Sequence, residues 1–172
     1  MITVGLASVM AAPRSRIWTA LVDPKEVVHW RPGSVSESPP NHAYPSVGEA
    51  VRWQCRVHDL PIILHETPLE VVPGKQLRSR LRLGLFRFEE SFTLAPSPGE
   101  PGRTRVGLHV YVPNEMPIVG GTLDRFAVRR LATELGGTHL QALRDWCEAS
   151  RAPGLTPPTD PSDANDALPG VH

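Results

Sequence analysis

The chain has 172 residues, and its 18 lysines and arginines are balanced by 18 aspartates and glutamates. This length is enough for one domain with a substantial core and a tail. Zero net charge provides no field that would favour nucleic acid or an anionic membrane, so neither is expected as a partner. The sequence contains no apolar run of ~18 residues, which predicts no membrane insertion and a cytoplasmic protein.

Cofactor and metal motifs are missing from the sequence. It has no Walker loop, no dinucleotide GxGxxG, no CxxC pair, no HExxH and no GxSxG. The seven histidines are scattered without metal-ligand spacing, so we expect neither a metal nor a cofactor. Cys55 and Cys147 lie far apart in periodic segments, which predicts buried free thiols in a reducing compartment.

The first third of the chain predicts a strand, two short helices and an irregular segment. Residues 2–11 are apolar and partly β-branched; no positive charge precedes them, so we interpret them as a strand and not as a signal peptide. Pro13 suits a first helical turn, and the Asp23-Pro24 step separates two short helices. Residues 31–47 contain four prolines, and residues 34–38 could form an irregular edge strand.

The middle of the chain predicts a run of antiparallel strands joined by short turns. Apolar and polar residues alternate with a period of two, which is typical of strands with one buried and one solvated face. The predicted strands span residues 51–57, 62–72, 75–83, 86–94 and 103–112. Arg78, Arg80 and Arg82 fall on the solvated face, although with Arg52 and Arg56 they could form a basic patch for an acidic partner.

A long helix is predicted from Thr122 to Ala149, and residues 150–172 are predicted to be a disordered tail rich in Pro and Asp. The predicted apolar stripe of the helix consists of Leu123, Phe126, Ala127, Leu131, Leu135, Ala142, Leu143 and Trp146. Gly136-Gly137 would weaken a helix interior. Close packing on the sheet or a mild kink is the simpler interpretation, and a hinge that admits a ligand is the alternative.

The order of strand, two short helices, about six strands and a long helix predicts an α+β fold. With the segments ASVMAAPRSRIWTALVDPKEVVHW, LEVVPGKQL, GRTRVGLHV and LQALRDWCEA, it resembles the helix-grip fold of the START-like (SRPBCC) superfamily, and within it the polyketide cyclase/dehydrase-like branch. The resemblance covers residues 2 to 149 and predicts one domain over residues 1–149. It implies a curved antiparallel sheet of about seven strands. The long helix would grip this sheet over an apolar tunnel that holds lipids, polyketides or other hydrophobic molecules.

Glu90 is the first candidate site residue, because it interrupts the inward apolar row of Phe86, Phe88, Phe92 and Leu94. Its carboxylate should face the space under the helix. A local twist, or a partner such as Arg130, is the simpler account. Alternatively, an unpaired buried carboxylate would have a raised pKa, which would suit a group that orients a ligand or acts as a base.

His65 is the second candidate, either as a catalytic residue or as a hydrogen-bonded structural histidine. Extending the Leu69-Glu70-Val71 alternation backwards would place His65 and Thr67 on the inward face. Ser79 lies on the intervening strand, so Ser79, His65 and Glu90 could approach one another. Nothing in the local sequence activates Ser79, so a nucleophilic triad is not favoured.

These residues lead to three functional hypotheses. The first is the binding of a small hydrophobic molecule, with apolar walls from Trp53, Phe88, Phe92, Phe126 and Leu131, and polar contacts from His65, Ser79, Glu90 and Arg130. The second is a polyketide cyclase or dehydratase type of enzyme that uses the same polar residues. The third is a co-chaperone-like protein-interaction module. Ligand identity and oligomeric state are left open.

Overall fold

The computed structural model describes residues 1–37, 44–57, 60–113, 116–118 and 121–149. The predicted tail lies outside the described residues, as does part of the proline-rich segment. The helices are α1 (Arg14–Val22), α2 (Pro24–Trp30) and α3 (Arg125–Ala149). The strands are β1 (Ile2–Met10), β2 (Ser34–Glu37), β3 (Val51–Val57), β4 (Leu60–Val72), β5 (Gln76–Leu83), β6 (Phe86–Pro96), β7 (Thr104–Val112), β8 (Met116–Ile118) and β9 (Gly121–Leu123).

Seven strands form one antiparallel sheet in the order β1-β7-β6-β5-β4-β3-β2. The predicted α+β class and the predicted sheet of about seven strands are therefore confirmed. β2 lies at the edge of the sheet, as the prolines around it require. β8 and β9 form a separate small hairpin that the sequence did not predict, since each strand is only three residues long.

The core lies between one face of the sheet and the helices. The period-two pattern holds throughout β7, where Val106, Leu108, Val110 and Val112 are all buried. These side chains join β1 and α3 in one large apolar cluster, which stabilises the domain mainly by removing apolar surface from water. A second cluster around Trp53 lies between β3, β4 and β5.

The buried stripe of α3 differs from the predicted one in its first half. Phe126 is 81% exposed, so its predicted inward orientation is wrong, whereas Leu135 is 48% exposed and only partly turned toward the sheet. The buried residues are Val128, Ala132, Gly136, Leu140, Leu143 and Cys147. The first four follow a four-residue spacing, and the small side chains at Ala132 and Gly136 suit a close approach of the helix to the sheet.

Gly136 allows this close approach. A Cβ atom at this position would lie 2.9 Å from Leu6 Cδ1 and 3.3 Å from Val110 Cγ2, whereas one at Gly137 would meet nothing within 4 Å. Helix α3 runs without interruption through both glycines. The close-packing interpretation is therefore confirmed for Gly136, and the hinge stays a prediction.

Both cysteines are buried thiols and neither forms a disulfide, as predicted. Burial raises the pKa of the Cys147 thiol to about 11, so little reactive thiolate forms near neutral pH. Among the described helices, none is long and apolar enough to cross a membrane.

Candidate functional site

A cavity of about 260 Å³ lies between the sheet and α3. Its walls are mainly apolar, and they include Leu64, Leu83, Phe86, Phe88, Leu131 and Leu135. Gly136 also lines it, so the helix backbone forms part of the wall. Of the predicted ligand-contacting residues, Phe88, Glu90 and Leu131 do line this cavity.

Three ionisable side chains form a polar end of the cavity. They come from separate elements: Arg31 follows α2, Glu90 lies on β6 and His139 lies on α3. His139 Nδ1 is 2.9 Å from Glu90 Oε1, and Arg31 Nη2 is 3.9 Å from Glu90 Oε2. The contact between His139 and Glu90 is short, but its geometry is not that of a hydrogen bond. His139 Nδ1 accordingly has no hydrogen-bond partner within the described part of the chain. The Glu90 carboxylate therefore retains hydrogen-bonding capacity toward the cavity.

The electrostatics of Glu90 differ from the expectation of an unpaired carboxylate. Burial alone would raise its pKa, but the neighbouring His139 and Arg31 outweigh burial and hold the pKa of Glu90 below its usual value. The suggested pairing of Glu90 with Arg130 is wrong. The Arg130 side chain is exposed, and its Nε donates to Glu134 Oε1 at 2.9 Å. His139 lies nine residues further along, about two and a half helical turns, and so faces the opposite side of α3.

Glu66 is the second buried carboxylate, and the sequence reasoning missed it. It is 0% exposed and accepts hydrogen bonds from Arg31 Nη1 at 2.5 Å, Trp53 Nε1 at 2.8 Å and Tyr44 Oη at 3.1 Å. Burial, followed by the nearby Glu66 charge, raises the pKa of Tyr44 well above its usual value, so Tyr44 stays a neutral donor. Burial disfavours the Arg31 cation, but Glu66 and Glu90 outweigh this effect, and the pKa of Arg31 is raised.

His65 and Thr67 do not face the cavity, so their predicted inward orientation is wrong. His65 lies opposite Arg52 and Arg82 on the outer face of the sheet, whereas its neighbours Leu64 and Glu66 are buried. The cause is a β-bulge in β4 between Pro68 and Glu70, which shifts the register and reverses the alternation. An alternation extended backwards from Leu69 and Val71 passes through this bulge and therefore assigns His65 and Thr67 to the wrong face.

The remaining predicted residues have other positions. Trp53 is fully buried, and its ring meets that of Tyr44 edge to face with 5.4 Å between the ring centroids. It donates a hydrogen bond to Glu66 and does not line the cavity. Ser79 and Phe92 line a small tight space beside Glu66 and Glu90, and the buried Ser79 Oγ has no partner among the described residues.

A Ser79-His65-Glu90 triad is ruled out, because His65 lies on the other face of the sheet. Within the described residues, no group of three or more His, Cys, Asp or Glu side chains is placed to hold a metal. Glu90, His139 and Arg31 supply the hydrogen-bonding groups at the polar end of the cavity. The alternation from Leu64 to Glu66 was a local signal that Glu66 faces inward. Its partners Arg31 and Tyr44 give no such signal, because they are distant from it in sequence.

Comparison with known proteins identifies the fold. No protein-family model and no curated protein matches the chain. A START superfamily protein from Mycobacterium smegmatis is similar over 86% of this chain and 98% of its own length, with 17% identity and a TM-score of 0.67. A Chromobacterium violaceum protein covers 85% of this chain and 96% of its own length, with 22% identity and a TM-score of 0.61.

DynU16, from the dynemicin biosynthetic locus, is 19% identical with a TM-score of 0.61. The similarity covers 86% of this chain but 48% of DynU16. At these identities the structural similarity establishes the fold and leaves the activity open. The chain has the START-like helix-grip fold that the sequence resemblance predicted.

Proposed function

We propose that the protein binds a small hydrophobic molecule in the cavity between the sheet and α3. The observation that carries this proposal is the cavity itself, which is apolar along its walls and polar at one end. Ligand pockets generally have this composition, in which apolar walls supply affinity and a few polar groups fix orientation. The START-like fold supports the same conclusion by analogy.

The size of the cavity favours a compact ligand. Its volume of about 260 Å³ lies just below the usual range for ligand pockets, roughly 300–1,000 Å³. A molecule of one or two fused rings, such as a short aromatic polyketide, fits this space better than a lipid with long acyl chains. The similarity to a protein of the dynemicin biosynthetic locus is consistent with that ligand class.

The charges at the polar end favour a neutral ligand that can donate a hydrogen bond. One buried arginine, Arg31, lies between two buried carboxylates, Glu66 and Glu90. An added anion would therefore lie close to two buried carboxylates, which disfavours it. A ligand hydroxyl could instead donate to the free capacity of the Glu90 carboxylate.

The test uses 2-naphthol, a neutral bicyclic phenol, as the probe, with binding measured by calorimetry. Leu131→Trp should fill the cavity and weaken binding at least tenfold. Thr133→Trp adds the same bulk to the exposed side of α3 and should change the affinity less than about twofold. Equal effects of the two substitutions, or an absence of binding to the unsubstituted protein, would refute the cavity as the binding site.

A second function, an enzyme of the polyketide cyclase or dehydratase type, is favoured by one observation. Glu90 and His139 form a close pair at the cavity wall, and such a pair can exchange a proton with a bound substrate. Native mass spectrometry of the purified protein would identify any co-purifying molecule. Conversion of that molecule by substoichiometric protein, lost in Glu90→Gln, would indicate catalysis, whereas unchanged recovery would indicate binding alone.

A further inference from the structure

A row of basic residues crosses the outer face of the sheet, on the side away from the cavity. The register places Arg52 opposite His65, His65 opposite Arg82, and Arg82 opposite Arg87. The four residues therefore lie side by side on β3, β4, β5 and β6. Neighbouring strands are about 4.8 Å apart, so the row is roughly 14 Å long.

Among the described residues, this row has no neutralising carboxylate. In the described part of the chain, no acidic side chain forms an ion pair with Arg52, Arg82 or Arg87. The carboxylate in the adjacent row, Glu89, is already held by Arg78 at 2.6 Å and Arg80 at 3.1 Å. Arg82 and Arg87 are like charges directly opposite each other, an arrangement that destabilises a sheet.

The basic side chains surround a groove and do not spread over a flat surface. The groove has a volume of about 330 Å³, and its lining residues are Ala50, His65, Thr67, Arg80, Arg82 and Arg87. It combines three guanidinium groups, of which that of Arg80 is already paired with Glu89, with a hydroxyl and an imidazole in a space of small-molecule size. The outer face of the sheet thus has a concave, cationic site that is separate from the apolar cavity.

We propose that this groove binds the phosphate-ester group of a small molecule. Arginine guanidinium groups form paired hydrogen bonds to phosphate oxygens, and each charge-assisted bond is roughly twice as strong as a neutral one. Arg82 and Arg87 lie directly opposite each other and can hold the anion between them. Thr67 and His65 supply additional donors from β4.

The charge distribution favours a compact anion over an extended one. The whole chain has 18 basic and 18 acidic residues, so the positive charge is local to the groove. Glu70 and Glu89 lie on the same outer face, opposite Arg78 and Arg80. These carboxylates would repel a broad anionic surface such as a membrane or a long polyanion.

The test measures pyrophosphate binding by calorimetry at low ionic strength. The double variant Arg82→Gln/Arg87→Gln should bind at least tenfold more weakly than the unsubstituted protein. A control, Arg105→Gln/Arg129→Gln, removes the same charge from exposed positions outside the groove and should change the affinity less than about twofold. Equal weakening in both variants, or no pyrophosphate binding by the unsubstituted protein, would overturn the proposal.

Thermal unfolding provides a second readout that excludes misfolding as the cause. Without ligand, the groove variant should have a melting temperature equal to or higher than that of the unsubstituted protein, because cross-strand repulsion is relieved. Pyrophosphate should raise the melting temperature of the unsubstituted protein and of the control variant, but not of the groove variant. Binding to phosphatidylserine vesicles or to a polyglutamate peptide, without binding to pyrophosphate, would contradict the proposal.

Discussion

Glu66 and Glu90 are two buried carboxylates that share one arginine but have different surroundings. Both point to the inner face of the sheet, at 0% and 3% exposure, and Arg31 extends one nitrogen toward each. Glu66 accepts three hydrogen bonds, whereas Glu90 has a misaligned contact with His139 and a distant Arg31. The saturated carboxylate serves the fold, and the unsaturated one at the cavity wall is available for a ligand.

The largest effect is expected from Arg31→Met, because this change removes the shared cation from both carboxylates. Breaking a buried pair by removing one partner leaves an uncompensated charge and costs roughly 3–5 kcal/mol. The loss can be measured as the decrease in the free energy of unfolding in urea. Arg130→Met, at an exposed position paired with Glu134, should change it by less than about 0.5 kcal/mol. A loss below about 1 kcal/mol for Arg31→Met would show that the cluster is not a stabilising unit.

Replacing the two carboxylates separately should distinguish their roles. Glu66→Gln places an amide NH₂ group among the three donors Arg31, Tyr44 and Trp53. Because buried donors then lose an acceptor, the substitution should lower the free energy of unfolding by about 2–3 kcal/mol. Glu90→Gln removes fewer contacts and should cost about 1 kcal/mol by the same measurement. The reverse order, or equal costs, would contradict the division into a structural and a functional carboxylate.

The same two variants should act in the opposite order on ligand binding. Glu90→Gln replaces a charge-assisted hydrogen bond to a ligand hydroxyl with a neutral one, and should weaken 2-naphthol binding about tenfold. Glu66→Gln should change the affinity less than about twofold, since Glu66 does not line the cavity. Titration calorimetry on both variants checks this expectation.

The sequence predicted the fold well because its strongest signals are periodic. The alternation in β5 and β6 placed Leu81, Phe88 and Glu90 on the inner face, and the structure confirms all three orientations. Such patterns survive wherever a regular strand has one buried face. The order of the strands and helices along the chain then predicted the helix-grip arrangement.

The site was predicted only in part, because two of its determinants are not periodic. The bulge after Pro68 reversed the alternation that was used to orient His65. Gly136 packs tightly on the sheet while Phe126 is exposed, and a pattern of large apolar residues predicts the reverse.

The partners of the carboxylates are the other part that local sequence could not reveal. Glu66 is bonded to Arg31 and Tyr44 across 35 and 22 residues of sequence, and neither partner lies on a regular strand. His139 reaches Glu90 from α3 through tertiary packing. Such contacts depend on how elements are packed and not on their individual patterns.

The pH dependence of stability provides the finest distinction between the variants. The pKa of Glu90 in the folded protein lies below its usual value of 4.5, because His139 and Arg31 outweigh burial. A lowered folded-state pKa means that the carboxylate stabilises the fold at pH values above about 4.5, and that this contribution is lost as the pH falls through the folded-state value. The difference in unfolding free energy between the unsubstituted protein and Glu90→Gln should therefore be largest near neutral pH and should shrink on acidification.

Urea denaturation at a series of pH values between about 3 and 7 measures this difference. Lowered pKa values at other carboxylates, such as Glu26 and Glu89, affect both proteins equally and cancel in the comparison. Glu134→Gln, at an exposed ion pair on α3, controls for the removal of a carboxylate and should change stability little at any pH. A difference that grew on acidification would mean that Glu90 is destabilised as an anion. The cavity would then hold a carboxylic acid that donates a proton, and the ligand would have to accept a hydrogen bond instead of donating one.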